Sequence, residues 1–307
     1  MTQDYCWPNL FVPGAGKSGT TSLHHYLNQH PDIWMSEEKE PVYFNNPERW
    51  QSEKSRKYYL SLFVGGKTKL YRGESSTGYM TSEGAIGRIK STVTEPKFIF
   101  ILRNPIDRAF SHYKWLLGSG FEKRPFKEAF LDSYHCFKQG KTSRPSYYSE
   151  SLYYYWINRY LTEFRRDNVH ILTTEDLHSD TLNQINLCFE FLELRPLKSL
   201  KNTQSNESVI LHNPSIYNKF SRFIAAKKKG PLMTFYQSLL PAQYRMWLRR
   251  KIIGALEYYK YHLAKHSPML TIEEEDRQWL KHFFQKDVVN LMATFPQTSF
   301  KSWKDFL

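Results

Sequence analysis

The apolar run Lys97–Leu102, KFIFIL, constrains the fold more strongly than any other segment of the chain. Five apolar residues follow one lysine without interruption, so a strand here would be buried on both faces. Such strands are typical of parallel sheets with helices on either side, and the Asn104-Pro105 pair that follows is a common helix start. The run therefore predicts an α/β fold.

Other strands and helices alternate around this run, in the order expected of right-handed βαβ units. The patterns predict strands at Asn9–Pro13, Lys69–Gly73 and Val169–Leu172, and helices at Thr20–Gln29, Pro125–Tyr134 and Ser149–Arg165. Beyond Leu194 no further strand is convincing, and apolar residues from Leu280 to Phe295 recur at helical spacing. We expect a single domain over residues 1–307, in which a central parallel sheet flanked by helices precedes a helical, basic C-terminal part from about residue 195.

Length and composition narrow the class of protein. A chain of 307 residues buries enough surface to fold without a disulfide scaffold. Its apolar runs fall far short of the roughly 20 residues that span a bilayer, and its N-terminus lacks the apolar core of a secretory signal. Three cysteines without metal-ligand spacing favour reduced thiols, so we expect a cytoplasmic protein.

A glycine-rich segment, FVPGAGKSGTTSL, follows the first predicted strand. Glycines let the backbone approach an anion closely, and amide groups at the start of a helix point toward it. Interleaved hydroxyl side chains add donors. The segment predicts a phosphate-binding loop; the alternative is a tight strand-to-helix turn whose Ser and Thr side chains act only as caps.

The string GKS at positions 16–18 looks like the end of a Walker A motif, which would indicate a P-loop nucleoside triphosphate-dependent kinase. The leading glycine of that motif would fall at position 11, which is Phe11. A kinase also needs a carboxylate for magnesium at the end of a neighbouring strand, whereas the residue that follows KFIFIL is Arg103. Glu175 and Asp176 offer a weaker substitute, so this alternative stays open.

Read from Lys17, the same loop resembles the 5′-phosphosulfate loop of sulfotransferases that use 3′-phosphoadenosine 5′-phosphosulfate (PAPS), whose core is Lys-x-Gly-Thr-Thr. The resemblance implies that Lys17 stabilises the leaving phosphate. It also implies a 5′-phosphate site, formed by Ser18, Gly19, Thr20, Thr21 and Ser22.

A second string, ILRNPIDRAFSHY, predicts a separate anion site. Arg103 lies at the strand end, and Ser111 follows eight residues later, about two turns into the next helix. A guanidinium offers a planar fork and a hydroxyl a further donor. The pair resembles the 3′-phosphate motif of the same family. The alternative is that Arg103 pairs with Asp107 or a C-terminal carboxylate and that Ser111 is an ordinary helix residue.

Two shorter segments, HPDIWMSEEKEPVYF and GESSTGYM, are similar to segments of heparan sulfate and related bacterial sulfotransferases. The resemblance implies transfer of the sulfuryl group of PAPS to a hydroxyl or amine of a small-molecule or glycan acceptor, leaving 3′-phosphoadenosine 5′-phosphate (PAP) and requiring no metal. It further implies that Glu40 is the base and that Lys39 lies close to the sulfuryl group. A loop carboxylate merely paired with Lys39 is the alternative, and His25 and His112 are less favoured bases.

The segment from Tyr217 to His266 carries eleven Lys or Arg residues against one acid, Glu257. Its charge is compatible with four roles. The segment could close over the nucleotide, bind an acidic glycan acceptor, form a basic amphipathic surface that rests on a membrane or a partner, or simply be a solvated helix face. Peripheral membrane contact is not favoured. We expect no nucleic-acid partner, because the charge comes without a recognised binding motif.

Overall fold

The computed structural model describes residues 6–141, 145–201 and 270–307. It contains a five-stranded, fully parallel sheet. The strands are β1 (Leu10–Phe11), β2 (Ile33–Met35), β3 (Tyr71–Glu74), β4 (Lys97–Leu102) and β5 (Val169–Thr173). Their order across the sheet is β2-β3-β1-β4-β5. Since all five run in one direction, the loops that follow β1, β3 and β4 leave the same edge of the sheet side by side.

Helices connect and follow the strands. They are α1 (Thr20–Leu27), α2 (Pro47–Gln51), α3 (Glu53–Ser61), α4 (Glu83–Thr92), α5 (Pro105–Gly118), α6 (Phe126–Lys138), α7 (Tyr153–Glu163), α8 (Thr174–Ser179), α9 (Thr181–Phe191) and α10 (Glu274–Thr294). No helix in the described ranges carries an apolar stretch of the length that a bilayer crossing needs.

The two faces of the sheet are covered by different side chains, as alternation along the strands requires. On one face, Ile99 and Ile101 of β4 join a buried aliphatic core with α1, α8 and α9. On the other, Phe98 and Phe100 pack against Tyr160 of α7, with ring centroids 5.1 and 5.0 Å apart. Burial on both faces explains the uninterrupted apolar sequence of β4 and confirms the predicted α/β class.

The C-terminal helix α10 also follows its sequence pattern. Its apolar stripe is fully buried, as expected of a helix that presents one face to the core (Leu280, Phe284, Val288, Leu291). Its buried Asp287 accepts hydrogen bonds at 2.9 Å from the backbone N–H groups of Tyr154 and Tyr155, and so caps the start of α7.

The chain divides into two compact units. The first comprises residues 1–109, 130–206 and 273–307 and includes the whole sheet. The second comprises residues 110–129 and 207–272. In its described part, Glu122 accepts hydrogen bonds from the Arg124 guanidinium, which lowers the pKa of that carboxyl to about 2. The single-domain interpretation of residues 1–307 stays a prediction.

Element boundaries differ from the sequence-based ones in a few places. The edge strand β2 was not predicted, because Ile33–Met35 is only three residues long and has no alternating pattern. The predicted helix from Ser149 is a short 3-10 turn, Ser149–Ser151, that precedes α7. The basic segment 217–266 lies outside the described residues.

Candidate active site

The loop after β1 is held in place by its neighbours on both sides. Ala15 N donates to Ile101 O at 2.7 Å, and Ile101 N donates to Gly14 O at 3.0 Å, so the loop continues the pairing with β4. Beyond β3, Met80 N donates to Pro13 O at 2.9 Å. A side chain at Gly14 would meet Met80 Cβ and Sδ at 2.9 Å, which is why this position needs glycine.

Two residues of the loop adopt left-handed backbone conformations. Lys17 has φ 70° and Gly19 has φ 86°. Glycine takes this conformation freely, whereas a lysine is strained there by about 1 kcal/mol. Such strain is common where a backbone must turn its amide groups toward a ligand. The turn is closed by a hydrogen bond that Ser18 N donates to Ala15 O at 3.3 Å.

The arrangement around Ser18 fits a phosphate group. Its hydroxyl oxygen is fully buried and meets no partner at full hydrogen-bonding geometry in the described part of the chain, although it lies close enough to the Tyr153 hydroxyl to influence the pKa of that phenol. Gly19 supplies no side-chain cap to α1, whose first turn contains Thr20, Thr21 and Ser22. An uncapped helix start and a buried hydroxyl together offer donors to an anion.

Glu40 and Lys39 lie beside this loop. Lys39 Nζ is 3.0 Å from Glu40 Oε1 and 3.3 Å from Thr20 Oγ1, so one ammonium links the carboxylate to the first residue of α1. Thr77 fixes the carboxylate from the other side. Its backbone N donates to Oε2 at 2.9 Å, and its hydroxyl donates to Oε1 at 3.1 Å.

Sequence analysis missed His24, which contacts both segments that follow the neighbouring strands. Its Nε2 lies 3.2 Å from Ser36 O and its Nδ1 2.9 Å from Ser75 Oγ. A carbonyl only accepts, so Nε2 carries the proton and Nδ1 accepts from the Ser75 hydroxyl. Burial lowers the pKa of His24 to about 4, helped by the nearby charges of His25 and Lys39. The imidazole is therefore neutral and structural at physiological pH.

Arg103 lies at the end of β4, and its guanidinium has no hydrogen-bonded or ionic partner among the described residues. Its backbone is fixed by the Tyr153 hydroxyl, which donates to Arg103 O at 2.8 Å. The carboxylates suggested as alternative partners are bound elsewhere. Arg277 pairs with Asp107 at 2.7 Å and with Asp305 at 2.6 Å.

The remaining candidates are placed as follows. Ser111 is buried in α5, about two turns from the helix start. It belongs to the second unit and Arg103 to the first, so a joint phosphate site stays a prediction. His25 is exposed on α1. His112 lies in the second unit, with its ring centroid 6.1 Å from that of Trp115.

Glu175, one of the two carboxylates considered for a kinase-type magnesium site, binds other groups of the protein. Glu175 accepts from Asn104 N at 2.9 Å through Oε1 and from Trp303 Nε1 at 3.2 Å through Oε2, so it fixes the chain after β4 and the C-terminal segment. Across the described ranges, no three His, Cys, Asp or Glu residues are grouped so that they could hold a metal ion.

Comparison with known proteins places these features in one family. A model of the sulfotransferase domain matches residues 8–230. The membrane-associated sulfotransferase kil1 of Dictyostelium discoideum is 35% identical over 119 residues, which are 36% of this chain and 24% of that protein. Heparan sulfate glucosamine 3-O-sulfotransferase 5 of Mus musculus is 27% identical over 205 residues, covering 65% of this chain and 57% of that protein. Each alignment therefore spans less than two-thirds of the relative.

Among solved structures, a sulfotransferase from Alicyclobacillus acidocaldarius has a similar fold, with a TM-score of 0.66 and 24% identity. The match covers 97% of this chain and 99% of that one.

Proposed function

This chain belongs to the sulfotransferase domain family, and from that premise we propose that it transfers the sulfuryl group of PAPS to a hydroxyl or amine of a small-molecule or glycan acceptor. One observation carries the proposal. The loop from Lys17 to Ser22 and the Lys39–Glu40 pair, separate in sequence, meet through the contact of Lys39 Nζ with Thr20 Oγ1. The proposed anion site and the proposed base would therefore share one edge of the sheet.

The nucleotide would be held at two points. We assign the 5′-phosphate to Ser18, Gly19, Thr20, Thr21 and Ser22, because the buried Ser18 hydroxyl and the uncapped start of α1 are donors suited to phosphate oxygens. We assign the 3′-phosphate to Arg103 together with Ser111. The first half of that assignment is supported by the Arg103 guanidinium, which pairs with no residue of the described part of the chain.

Bound there, PAPS would supply a sulfuryl group that its anhydride bond to phosphate already activates. The acceptor oxygen or nitrogen forms the new bond to sulfur while the bond between sulfur and the 5′-phosphate oxygen breaks. Lys17 stabilises the negative charge that develops on that oxygen, and PAP leaves with the electron pair. Glu40 takes the acceptor's proton, and Lys39 lies beside the transferring group.

The acceptor class rests on relatives. The Mus musculus relative is named for sulfation of heparan sulfate glucosamine, and we propose a glycan or a small hydroxyl or amine compound as the acceptor of this chain. We also propose that the protein works in the cytoplasm. All three of its cysteines are unpaired thiols, which suits a reducing compartment.

Nucleotide binding gives the first test. PAP without magnesium should raise the melting temperature, because a ligand that binds only the folded state stabilises it. ATP with magnesium should have a smaller effect. A larger shift with magnesium and ATP than with PAP would favour the kinase instead.

Transfer gives the second test. The protein is incubated with PAPS and a panel of metabolites and glycans, and products are examined for the mass of one added sulfuryl group. Lys17→Ala should lower the rate by about a hundredfold or more. Lys90→Ala serves as the matched control, since Lys90 is an exposed lysine paired with Glu163. Nucleotide binding without transfer to any acceptor would indicate a binding protein.

A further inference from the structure

The segment just after Glu40 has a strained backbone. Glu40 has φ 58° and Val42 has φ 47°, with Pro41 between them. A β-branched residue such as Val42 is rarely found in the left-handed region, so other contacts must hold it there.

Two hydroxyl groups supply those contacts. Val42 N donates to Ser76 Oγ at 3.1 Å. The next two backbone N–H groups, of Tyr43 and Phe44, both donate to the Tyr79 hydroxyl, at 2.9 and 3.1 Å. Three consecutive amides of the segment are therefore bound by two side-chain oxygens from the region after β3.

One of these hydroxyls, that of Ser76, is oriented by a buried carboxylate. Glu74, at the end of β3, is completely inaccessible to solvent. Ser76 Oγ donates to its Oε2 at 2.6 Å, and Tyr59 donates to its Oε1 at 2.6 Å. Because its proton points at Glu74, the Ser76 oxygen presents its lone pairs to Val42 N.

We propose that Glu74 is a positioning residue for Glu40, acting through the Ser76 hydroxyl on the backbone of Val42. This inference rests on the proposed role of Glu40 as the base. Glu74 touches neither the phosphate loop hydroxyls nor the Glu40 carboxylate through a hydrogen bond, so it sets the place of the base without reacting itself.

Electrostatics agrees with a carboxylate kept for its geometry. Burial raises the pKa of Glu74 to about 7, the charge of Glu40 acts in the same direction, and the hydroxyl donors oppose it. Burying a carboxylate costs free energy, so an apolar side chain would serve at position 74 with little loss of stability if no hydroxyl had to be oriented there.

Amide hydrogen exchange tests the positioning directly. In Glu74→Leu the Ser76 hydroxyl loses its acceptor, and the amide of Val42 should exchange about tenfold faster than in the wild type. Ser76→Ala, which removes the acceptor of that amide outright, should have the same effect. Glu74→Gln should restore protection to within about threefold, because its carbonyl oxygen can still accept from Ser76 while Tyr59 turns to face the new amide group.

Tyr59→Phe is the matched control. It also deletes a buried hydrogen bond to Glu74, but Tyr59 holds none of the three amides, so their exchange should stay within about threefold of wild type. Unchanged protection of the Val42 amide in both Glu74→Leu and Ser76→Ala would overturn the proposal. So would equal loosening of the amides at residues 15–22, which would make Glu74 a general stability residue.

Kinetics separates this inference from the proposed function. Glu74→Leu should lower kcat for sulfuryl transfer by about tenfold to a hundredfold while the KM for PAPS and the Kd for PAP stay unchanged, and Glu74→Gln should recover most of kcat. A parallel loss of PAP affinity would contradict the proposal. A wild-type protein that transfers no sulfuryl group counts against the proposed function alone, because amide exchange still decides whether Glu74 holds the segment.

Discussion

Replacing Glu40 by Gln tests the base most sharply, because the contacts of the carboxylate can be counted. Oε1 accepts from Lys39 Nζ and from the Thr77 hydroxyl, and Oε2 accepts from Thr77 N. A carboxylate has about four acceptor positions. Within the described ranges, one position on Oε2 therefore remains for an acceptor's proton.

Glu40→Gln removes the ability to accept a proton and also disturbs the hydrogen bonds of this side chain with Lys39 and Thr77. If the amide carbonyl keeps Lys39, the new NH₂ group faces Thr77 N; if the amide flips, NH₂ faces the ammonium of Lys39. One donor–donor contact arises in either orientation. At an exposed fraction of 37% for the Glu40 side chain, we expect it to cost about 1 kcal/mol, at the low end for an unsatisfied group. General-base catalysis contributes about a hundredfold to ten-thousandfold. We therefore expect kcat to fall at least a hundredfold with little change in the unfolding midpoint.

The assay measures initial rates at saturating PAPS across pH, with PAP affinity measured by calorimetry. Glu40→Asp is the control, since it keeps a carboxylate but draws it back by one methylene, away from Thr77 N. Its kcat should fall less than that of Glu40→Gln, because a carboxylate is still present to accept the proton. A Glu40→Gln enzyme within about threefold of wild-type kcat would refute the role of base.

Three further predictions concern the nucleotide, the loop and pH. Arg103→Ala should weaken PAP binding by about tenfold or more and leave a nucleotide without the 3′-phosphate unaffected in calorimetry; equal affinity for PAP in variant and wild type would contradict the assignment. Gly14→Ala should lower the free energy of unfolding by about 1–3 kcal/mol, because its Cβ would lie 2.9 Å from Met80 Cβ, whereas Gly16→Ala, whose nearest neighbour is 3.9 Å away, should be nearly neutral in urea titrations. Burial raises the pKa of Asp287 to about 6 from 3.8, so its contribution to stability is present below about pH 4 and is lost as pH rises through 6. The free energy of unfolding of Asp287→Asn, relative to that of the wild type, should rise by about 2 kcal/mol between about pH 4 and pH 7 in urea titrations. If the difference between variant and wild type did not change with pH, the pKa of Asp287 would not be raised.

The parts of the fold that the sequence predicted are those governed by local patterns. The apolar run of β4 and the stripe of α10 report burial directly, because the period of apolar residues follows from the geometry of a strand or helix. The strand β2 left no such pattern, since three residues at a sheet edge are ordered mainly by pairing with β3.

The loop after β1 also follows from a local pattern. Glycines and hydroxyl residues between a strand and a helix define a backbone turn within about ten residues, and the structure gives Lys17 and Gly19 the left-handed conformations that such a turn requires. The segments GESSTGYM and HPDIWMSEEKEPVYF contain Thr77 and Glu40, which hydrogen-bond to each other in the structure. Neither segment indicated that Thr77 would bind Glu40, or that His24 would contact both segments, through Ser36 and Ser75.

The sequence by itself determined the α/β class, the loop after β1 and the residue types of the candidate site, because each depends on neighbours a few positions apart. Only the tertiary structure decided which side chains meet. The strand order brings residues 40 and 77, which are 37 positions apart, to one edge of the sheet. The same packing buries Glu74 beside the Ser76 hydroxyl, which accepts from Val42 N, and it pairs Asp107 and Asp305 with Arg277, so that neither carboxylate binds Arg103. Such pairings depend on distances set by the whole sheet, and no local pattern encodes them.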